Sequence, residues 1–280
     1  MLVKEIKELR NLIKSWKREG LSIGFVPTMG ALHEGHESLV KKAAKENDKV
    51  VVSVFVNPTQ FGPNEDYDSY PRDINRDLEI CMGVGASLVF NPEPSEMYFE
   101  SKSTSVSVSN LTSVLCGAKR PGHFDGVCLV VTKLLNIVTP DKAYFGQKDA
   151  QQVAVIKRMV KDLNIDAEIV ACPIIREEDG LAKSSRNTYL SKEERQAALV
   201  LSRSLNIAKD LLINGDRNAA KIKEIIKEEI NKEPLAKIDY VEIVDSESLE
   251  NVDNIDKSVL IPIAVYIGKT RLIDNFTFEM

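Results

Sequence analysis

The sequence predicts an α/β protein, a doubly wound, mostly parallel Rossmann-like domain followed by a smaller C-terminal α+β domain. Three observations carry that expectation. Strand-like and helix-like stretches alternate from residue 22 to about residue 172. The run Lys49 to Val56 is rich in β-branched residues, which suits a strand buried on both faces of a parallel sheet. After Pro173 the alternation gives way to two long helical stretches and then to a group of strands. The division is expected near residue 174, giving domains 1–174 and 175–280.

Taken in order, Glu5 to Arg18 places Ile6, Leu9, Leu12, Ile13 and Trp16 on one helical face. Ser22 to Val26 reads as a strand. The turn Pro27 to His36 leads into a helix that ends near Asn47-Asp48. Lys49 to Val56 is the buried strand, and Asn57 to Pro63 is the loop that leaves its end. Asp73 to Met82 has a helical pattern and Ser87 to Phe90 a strand. The Ser/Thr-rich segment 101–109 is irregular, with Thr104 to Val108 alternating as a strand would. Gly126 to Val138 is an apolar helix closed by Thr139-Pro140. Lys142 to Phe145 is a strand, Asp149 to Leu163 a helix and Asp166 to Ala171 a strand. In the tail, Ser191 to Asn214 and Asp216 to Ile230 are helices with Ser191 and Asp216 as N-caps. Asp239 to Val244, Val259 to Ile267 and Thr270 to Phe276 are strands, and Gly268-Lys269 is a hairpin turn.

Composition narrows the function. A chain of 280 residues with 43% hydrophobic and 28% charged residues is an ordinary globular protein. A net charge of -5 argues against a general nucleic-acid binder. The four cysteines are widely spread and read as buried thiols. No apolar run approaches the about 20 residues of a membrane helix, and the N-terminus lacks the pattern of a signal peptide. A reduced, cytoplasmic protein is expected.

The chemistry concentrates in four stretches. Met29-Gly30-Ala31-Leu32-His33-Glu34-Gly35-His36 holds two of the chain's three histidines, where a strand turns into a helix. Free backbone N–H groups and the helix dipole at such a place suit an anion; a helix start with solvated histidines is the plainer reading. Gly180-Leu181-Ala182-Lys183-Ser184-Ser185-Arg186-Asn187 can wrap a triphosphate, or can simply cap the next helix. Gly146-Gln147-Lys148-Asp149 repeats the strand-to-helix geometry, with Lys148 set against the local dipole. An anionic ligand would account for that, as would a solvated lysine. The Asn57 and Gln60 amides suit a polar substrate with hydroxyl and carboxylate groups, or bond their own turn. Arg120 to Phe124 reads as a structural basic loop. Asp73 and Asp77 read as a solvated helix face, with Asp77 also a candidate metal ligand. A P-loop and a dinucleotide fingerprint are both missing.

The histidine pair followed far downstream by the Lys/Ser/Ser/Arg loop resembles the nucleotidyltransferase superfamily of class I aminoacyl-tRNA synthetases, whose motifs are called HIGH and KMSKS. The ordered set PTMGALHEGH, FVNPTQF, YPRD, RPGHFDGV, YFGQKDAQQ and DGLAKSSRN is similar to the pantoate–β-alanine ligase (pantothenate synthetase) family. The similarity spans roughly residues 21–190 and the tail also fits. The anticodon-binding and editing regions of a tRNA synthetase are missing.

That resemblance implies a nucleotidyltransferase-type ATP- and pantoate-binding domain, a C-terminal lid domain that excludes water, and a homodimer. It implies that ATP and pantoate form pantoyl-adenylate, which β-alanine attacks to give pantothenate and AMP. It places Met29 to His36 in the ATP site, with His36 as proton donor and His33 on the phosphates. Gln60 would bind pantoate and β-alanine, and Gln152 pantoate. Gly146, Gln147, Lys148 and Asp149 would contact ATP, Ile175 the adenine, and Lys183, Ser184, Ser185 and Arg186 the triphosphate. Mg²⁺ would bridge phosphate oxygens. Position 183 is usually apolar in that family; here Lys183 either reaches phosphate or is solvated. Two other readings remain: a nucleotidylyltransferase acting on a phosphorylated substrate, and a nucleotide-sensing module that binds ATP without turnover.

Overall fold

In the computed structural model, residues 1–63, 65–100 and 103–280 are described. Residues 101 and 102, at the head of the Ser/Thr-rich segment, lie outside them. The chain packs as two compact units, residues 1–147 with 152–173 and residues 148–151 with 174–280.

The elements of the first stretch are β1 (Leu2–Val3), α1 (Ile6–Arg18), β2 (Ile23–Thr28), α2 (Glu34–Glu46), β3 (Lys49–Val54), α3 (Ile74–Gly83) and β4 (Leu88–Phe90), then α4 (Pro94–Met97), α5 (Leu115–Lys119), α6 (His123–Val138), β5 (Lys142–Gly146), α7 (Ala150–Asp162) and β6 (Glu168–Cys172). Six strands form one parallel sheet in the order β1-β4-β3-β2-β5-β6. The expected doubly wound sheet is therefore present. Alternation along β3 sends Val50, Val52 and Val54 to a core shared with Leu39, Val40 and Ala43 of α2 and Cys81 of α3. On the other side α1 packs against α6. Val50, Val51 and Val52 are at most 1% exposed, as a β-branched strand covered on both faces requires.

In the second stretch, α8 (Lys192–Ala197), α9 (Leu199–Ile213) and α10 (Ala219–Asn231) precede β7 (Ala236–Val241), β8 (Val244–Asp245), β9 (Val259–Ile267) and β10 (Thr270–Phe278). These strands make one antiparallel sheet in which β9 pairs with β10, β7 and β8. The β9–β10 register closes at Ile267 and Thr270, and Gly268 takes φ +56° in the turn, as the hairpin reading expects. Leu201, Leu205 and Leu212 of α9 and Ile222, Ile226 and Ile230 of α10 build the core with the buried face of β9.

Several local expectations fail for physical reasons. Thr104 to Val108 forms no strand, because alternation alone does not supply a hydrogen-bonded partner. The expected helix 191–214 is broken at Ala198, a fully buried residue between α8 and α9. Asn218, not Asp216, caps α10, by accepting from Lys221 N–H at 2.9 Å. Asp216 instead accepts from Asn218 N–H in the preceding turn. The strand β1 and the short helices α4 and α5 carry too few residues to show a period. Cys81, Cys128 and Cys172 are buried thiols, as expected, but Cys116 on α5 is half-exposed. Burial pushes the Cys81 and Cys128 thiols up to about 12 and the Cys172 thiol to about 11. Among the described residues, no helix is long and apolar enough to cross a membrane.

Candidate active site

The sheet order has one reversal. From β2 the chain works outward through β3 and β4, and later returns to place β5 on the other side of β2. Ligands of open α/β sheets bind outside the carboxyl ends of the strands at such a point. The two segments that leave there are the turn after β2, which carries His33 and His36, and Gly146-Gln147 after β5.

The turn after β2 is built by one buried carboxylate. Asp77 of α3, 1% exposed, accepts from Ala31 N–H at 3.0 Å and from Leu32 N–H at 2.9 Å. Gly30 has φ +83° and Ala31 φ +51°, so the turn runs through two successive left-handed residues. A side chain at Gly30 would meet Asp77 Oδ2 at 2.7 Å. Burial, partly offset by these two backbone bonds, holds the Asp77 carboxyl above its ordinary value. The expected solvated pair is thus corrected: Asp73 caps α3 through Arg76 N–H, and Asp77 is a buried support. The sequence did hold a signal for this, since Asp77 stands three residues after Ile74 and four before Cys81, on the apolar face of α3.

The expectation of free N–H groups in this turn is also corrected. Gly30 N–H donates to Thr28 Oγ1, those of Ala31 and Leu32 to Asp77, His33 N–H to His36 Nδ1 at 3.4 Å, and Gly35 N–H to His33 Nδ1 at 3.1 Å. His33 and His36 thereby form a reciprocal cap on α2. This capping fixes their chemistry. Each Nδ1 accepts, so each neutral ring carries its proton on Nε2. The two rings lie 4.2 Å apart between centroids, tilted by 44°. The donor type this turn contributes is thus an imidazole N–H rather than a backbone N–H.

After β3, a short 3-10 turn spans Pro58–Gln60. Asn57, 1% exposed, is committed internally: Nδ2 donates to Gln60 Oε1 and Gly126 O, and Oδ1 accepts from Thr59 and from the Tyr98 hydroxyl. Asn57 is thus a brace for the turn rather than a reader of substrate. Gln60 is different. Among the described residues its Nε2 donates to the thioether of Met29, a weak acceptor, and a ligand oxygen would be a better one. The structure so joins two predicted residues, Met29 and Gln60. The loop Arg120 to His123, read as structural, sits directly behind this turn. Arg120 makes a bidentate pair with Glu65 at 2.6 Å, and His123 Nδ1 lies 2.8 Å from Gln60 O. Burial opposes ionisation of Glu65, but Arg120 outweighs it and holds that carboxyl below its usual range. Gly126 allows the close approach, because a Cβ there would fall 2.2 Å from Thr59 O. Gln152 is half-buried in the first turn of α7.

The remaining predicted residues, apart from Gly146 and Gln147, belong to the second unit. Gln147–Asp149 form a 3-10 turn ahead of α7, with Lys148 half-buried and Asp149 exposed. Lys148 O accepts from Asn275 of β10 at 2.9 Å. Arg176 and Ala182 pair across a tight hairpin that Gly180 turns at φ +95°. Lys183 N–H donates to Ile175 O at 2.9 Å. Ser184 then caps a 3-10 turn, Ser185–Tyr189, by accepting from Arg186 N–H, which leaves its O–H to donate. A charged cluster holds this turn. Asn187 Nδ2 donates to Glu177 Oε1 at 3.0 Å and to Ala182 O. Arg195 of α8 donates to Glu177 Oε2 at 2.7 Å and to both oxygens of Asp179. Burial would raise the Glu177 carboxyl, but Arg195 and Asn187 outweigh it and hold it low. Arg195 likewise holds Asp179 low. Nothing in the sequence marks Glu177, Asp179 and Arg195 apart from other surface charges.

The pantoate-beta-alanine ligase family model matches residues 1–277. The chain belongs to the pantoate–β-alanine ligase family. A pantothenate synthetase of Clostridioides difficile is 71% identical over 280 residues, covering 100% of this chain and 99% of that protein. The crystal structure of pantothenate synthetase from Thermus thermophilus is 45% identical, with a TM-score of 0.93 over 98% of both chains. A pantoate-beta-alanine ligase from Francisella tularensis, complexed with beta-gamma ATP and beta-alanine, is 37% identical with a TM-score of 0.79, covering 99% of this chain and 97% of that one. The fold of the ligase family thus extends over both units described above.

Proposed function

We propose that this chain condenses pantoate with β-alanine, driven by ATP, to give pantothenate, AMP and pyrophosphate through pantoyl-adenylate. The observation that carries the reading is the histidine pair at the reversal of the sheet, with both neutral rings protonated on Nε2 and the Gln60 amide beside Met29. A pantoate carboxylate oxygen attacks the α-phosphorus and pyrophosphate leaves. The β-alanine amine then attacks the acyl carbon and AMP leaves. We assign His36 as proton donor and His33 to the phosphates, where N–H donors meet growing negative charge. Met29 to Gly35, Gly146, Gln147 and Asp149 are assigned to ATP, Lys148 and Lys183 to Arg186 to its triphosphate, and Ile175 to the adenine. Gln60 is assigned to pantoate and β-alanine, and Gln152 to pantoate.

Mg²⁺ belongs with the nucleotide in this scheme. Among the described residues, no three His, Cys, Asp or Glu side chains group as a metal cage, and Asp77 is spent on the turn. No step is therefore routed through a protein-held ion. A cytoplasmic homodimer is part of the same reading.

The test is AMP and pyrophosphate release from ATP, pantoate and β-alanine, omitting each in turn. Pyrophosphate release that needs pantoate but not β-alanine supports the adenylate; release that needs β-alanine overturns it. A nucleotidylyltransferase would instead demand a phosphorylated substrate, and a nucleotide sensor would bind ATP without turnover.

A further inference from the structure

The third histidine is wired in the opposite sense to the other two. His123 opens α6, with its ring between two groups of fixed polarity. Nε2 lies 2.9 Å from Arg120 Nη1, and Nδ1 lies 2.8 Å from Gln60 O. A guanidinium only donates and a carbonyl only accepts. The ring must therefore accept at Nε2 and donate from Nδ1, which defines the neutral Nδ1–H tautomer. Arg120 cannot turn away, because Glu65 grips it through Nε and Nη2 at 2.6 Å each. Gln60 O is the last carbonyl of the Pro58–Gln60 turn and has no partner within it.

We infer that His123 is a positioning residue for the Gln60 amide, acting through its neutral Nδ1–H tautomer, and that its protonation at low pH releases the substrate turn. The inference rests on the reading of Gln60 as a pantoate-binding residue. Protonation would put a second ring N–H against the guanidinium at hydrogen-bond distance, two donors and two positive charges face to face. The ring would have to rotate or withdraw, and Gln60 O would lose its close donor and keep the long contact from Arg120 Nη2 at 3.5 Å. The charged groups bearing on this are Glu65 and Arg120 on the facing loops, Lys119 at the end of α5 and Asp125 in the first turn of α6. The Tyr98 hydroxyl, which burial keeps protonated, braces the same turn through Asn57. The working form is the neutral ring, and it is lost when acid puts a second proton on it.

The test uses three variants of the full chain. His123→Asn carries a donor where Nδ1 stands and does not titrate. His123→Gln carries its polar end where Nε2 stands and cannot reach Gln60 O. His123→Ala carries neither. The KM for pantoate is expected to rise about tenfold or more in His123→Gln and His123→Ala, with KM for ATP unchanged, and to be restored toward wild type in His123→Asn, as the loss and return of one buried hydrogen bond implies. Between pH 8 and 5.5, the wild-type KM for pantoate should climb relative to that of His123→Asn. Identical pH profiles for the two, or a wild-type KM in His123→Gln, overturns the inference. Imidazole ¹⁵N shifts provide a readout that needs no substrate: Nδ1 of His123 must be the protonated nitrogen, and a protonated Nε2 overturns the tautomer outright. Gln60→Ala separates the two levels. If it leaves KM for pantoate unchanged, the reading of Gln60 fails and the positioning role with it, while the tautomer stands or falls on the shifts alone.

Discussion

Two of the turns assigned to the nucleotide are held in different ways. The turn with His33 and His36 rests on a single carboxylate in the core, and its main chain is bent through left-handed conformations at Gly30 and Ala31. The turn with Ser184 to Arg186 rests on Glu177, Asp179, Asn187 and Arg195, partly open to solvent; the Asp179 side chain is 40% exposed. The first is stabilised by the same packing that stabilises its unit. The second is held by ion pairs, whose strength depends on salt and pH. One chain thus holds one turn on a strained, buried support and another on an adjustable, charged one.

The largest expected effect tests what the first turn delivers. His36→Ala should lower pantoate-dependent pyrophosphate release by about 100-fold or more, because it deletes the proposed proton donor and one half of the α2 cap. Lys148→Ala should cost a comparable factor without a change in melting temperature. Its ammonium makes no ion pair among the described residues, so little structure is lost with it. Near-normal turnover in either variant would remove that residue from the site.

Next comes the contrast between the two supports. Asp77→Asn places an amide N–H₂ against a main-chain N–H in a buried site, at a cost of about 1–3 kcal/mol, so melting temperature and turnover should fall together. Glu177→Gln should lower turnover several-fold while the melting temperature holds, and about 1 M salt should imitate it in the wild type. If salt slows Glu177→Gln as much as it slows wild type, the second turn does not depend on its charges. The sign of the pH effect follows from the carboxyls. Glu177 and Asp179 are held below their ordinary values, so their contribution is complete above about pH 4.5 and is lost as pH falls below it.

The smallest effect concerns strain. Ala31→Gly should raise stability by at most about 1 kcal/mol, since glycine adopts φ +51° freely but loses more entropy on folding. A drop of more than that would mean the Ala31 methyl packs in a way that matters more than its backbone.

Local periodicity explains what was legible in the sequence. The parallel sheet, the β-branched run of β3 and the β9–β10 hairpin follow from patterns that repeat over five to nine residues. The break at Ala198, the two-residue β1 and the failed strand at Thr104 to Val108 depend on partners distant in sequence. The same holds for the site. Residue types announced His33, His36, Gln60, Lys148 and the Ser184 to Arg186 turn as candidates. Of the supports, Asp77 was marked only by its place on the apolar face of α3, and Glu177 and Arg195 were silent, because their roles come from each other and from Asp179 and Asn187. Which nitrogen of each imidazole is protonated is likewise a property of neighbours: backbone donors for His33 and His36, a guanidinium for His123.

The cysteines lend the molecule a built-in reporter. Three thiols are sealed in the core with their ionisation pushed to about 11 or 12, so an alkylating dye in neutral buffer has Cys116 as its accessible target. That residue sits on α5, four positions before Arg120. A fluorophore attached there would follow the Arg120–His123 loop during turnover, with no cysteine to remove first.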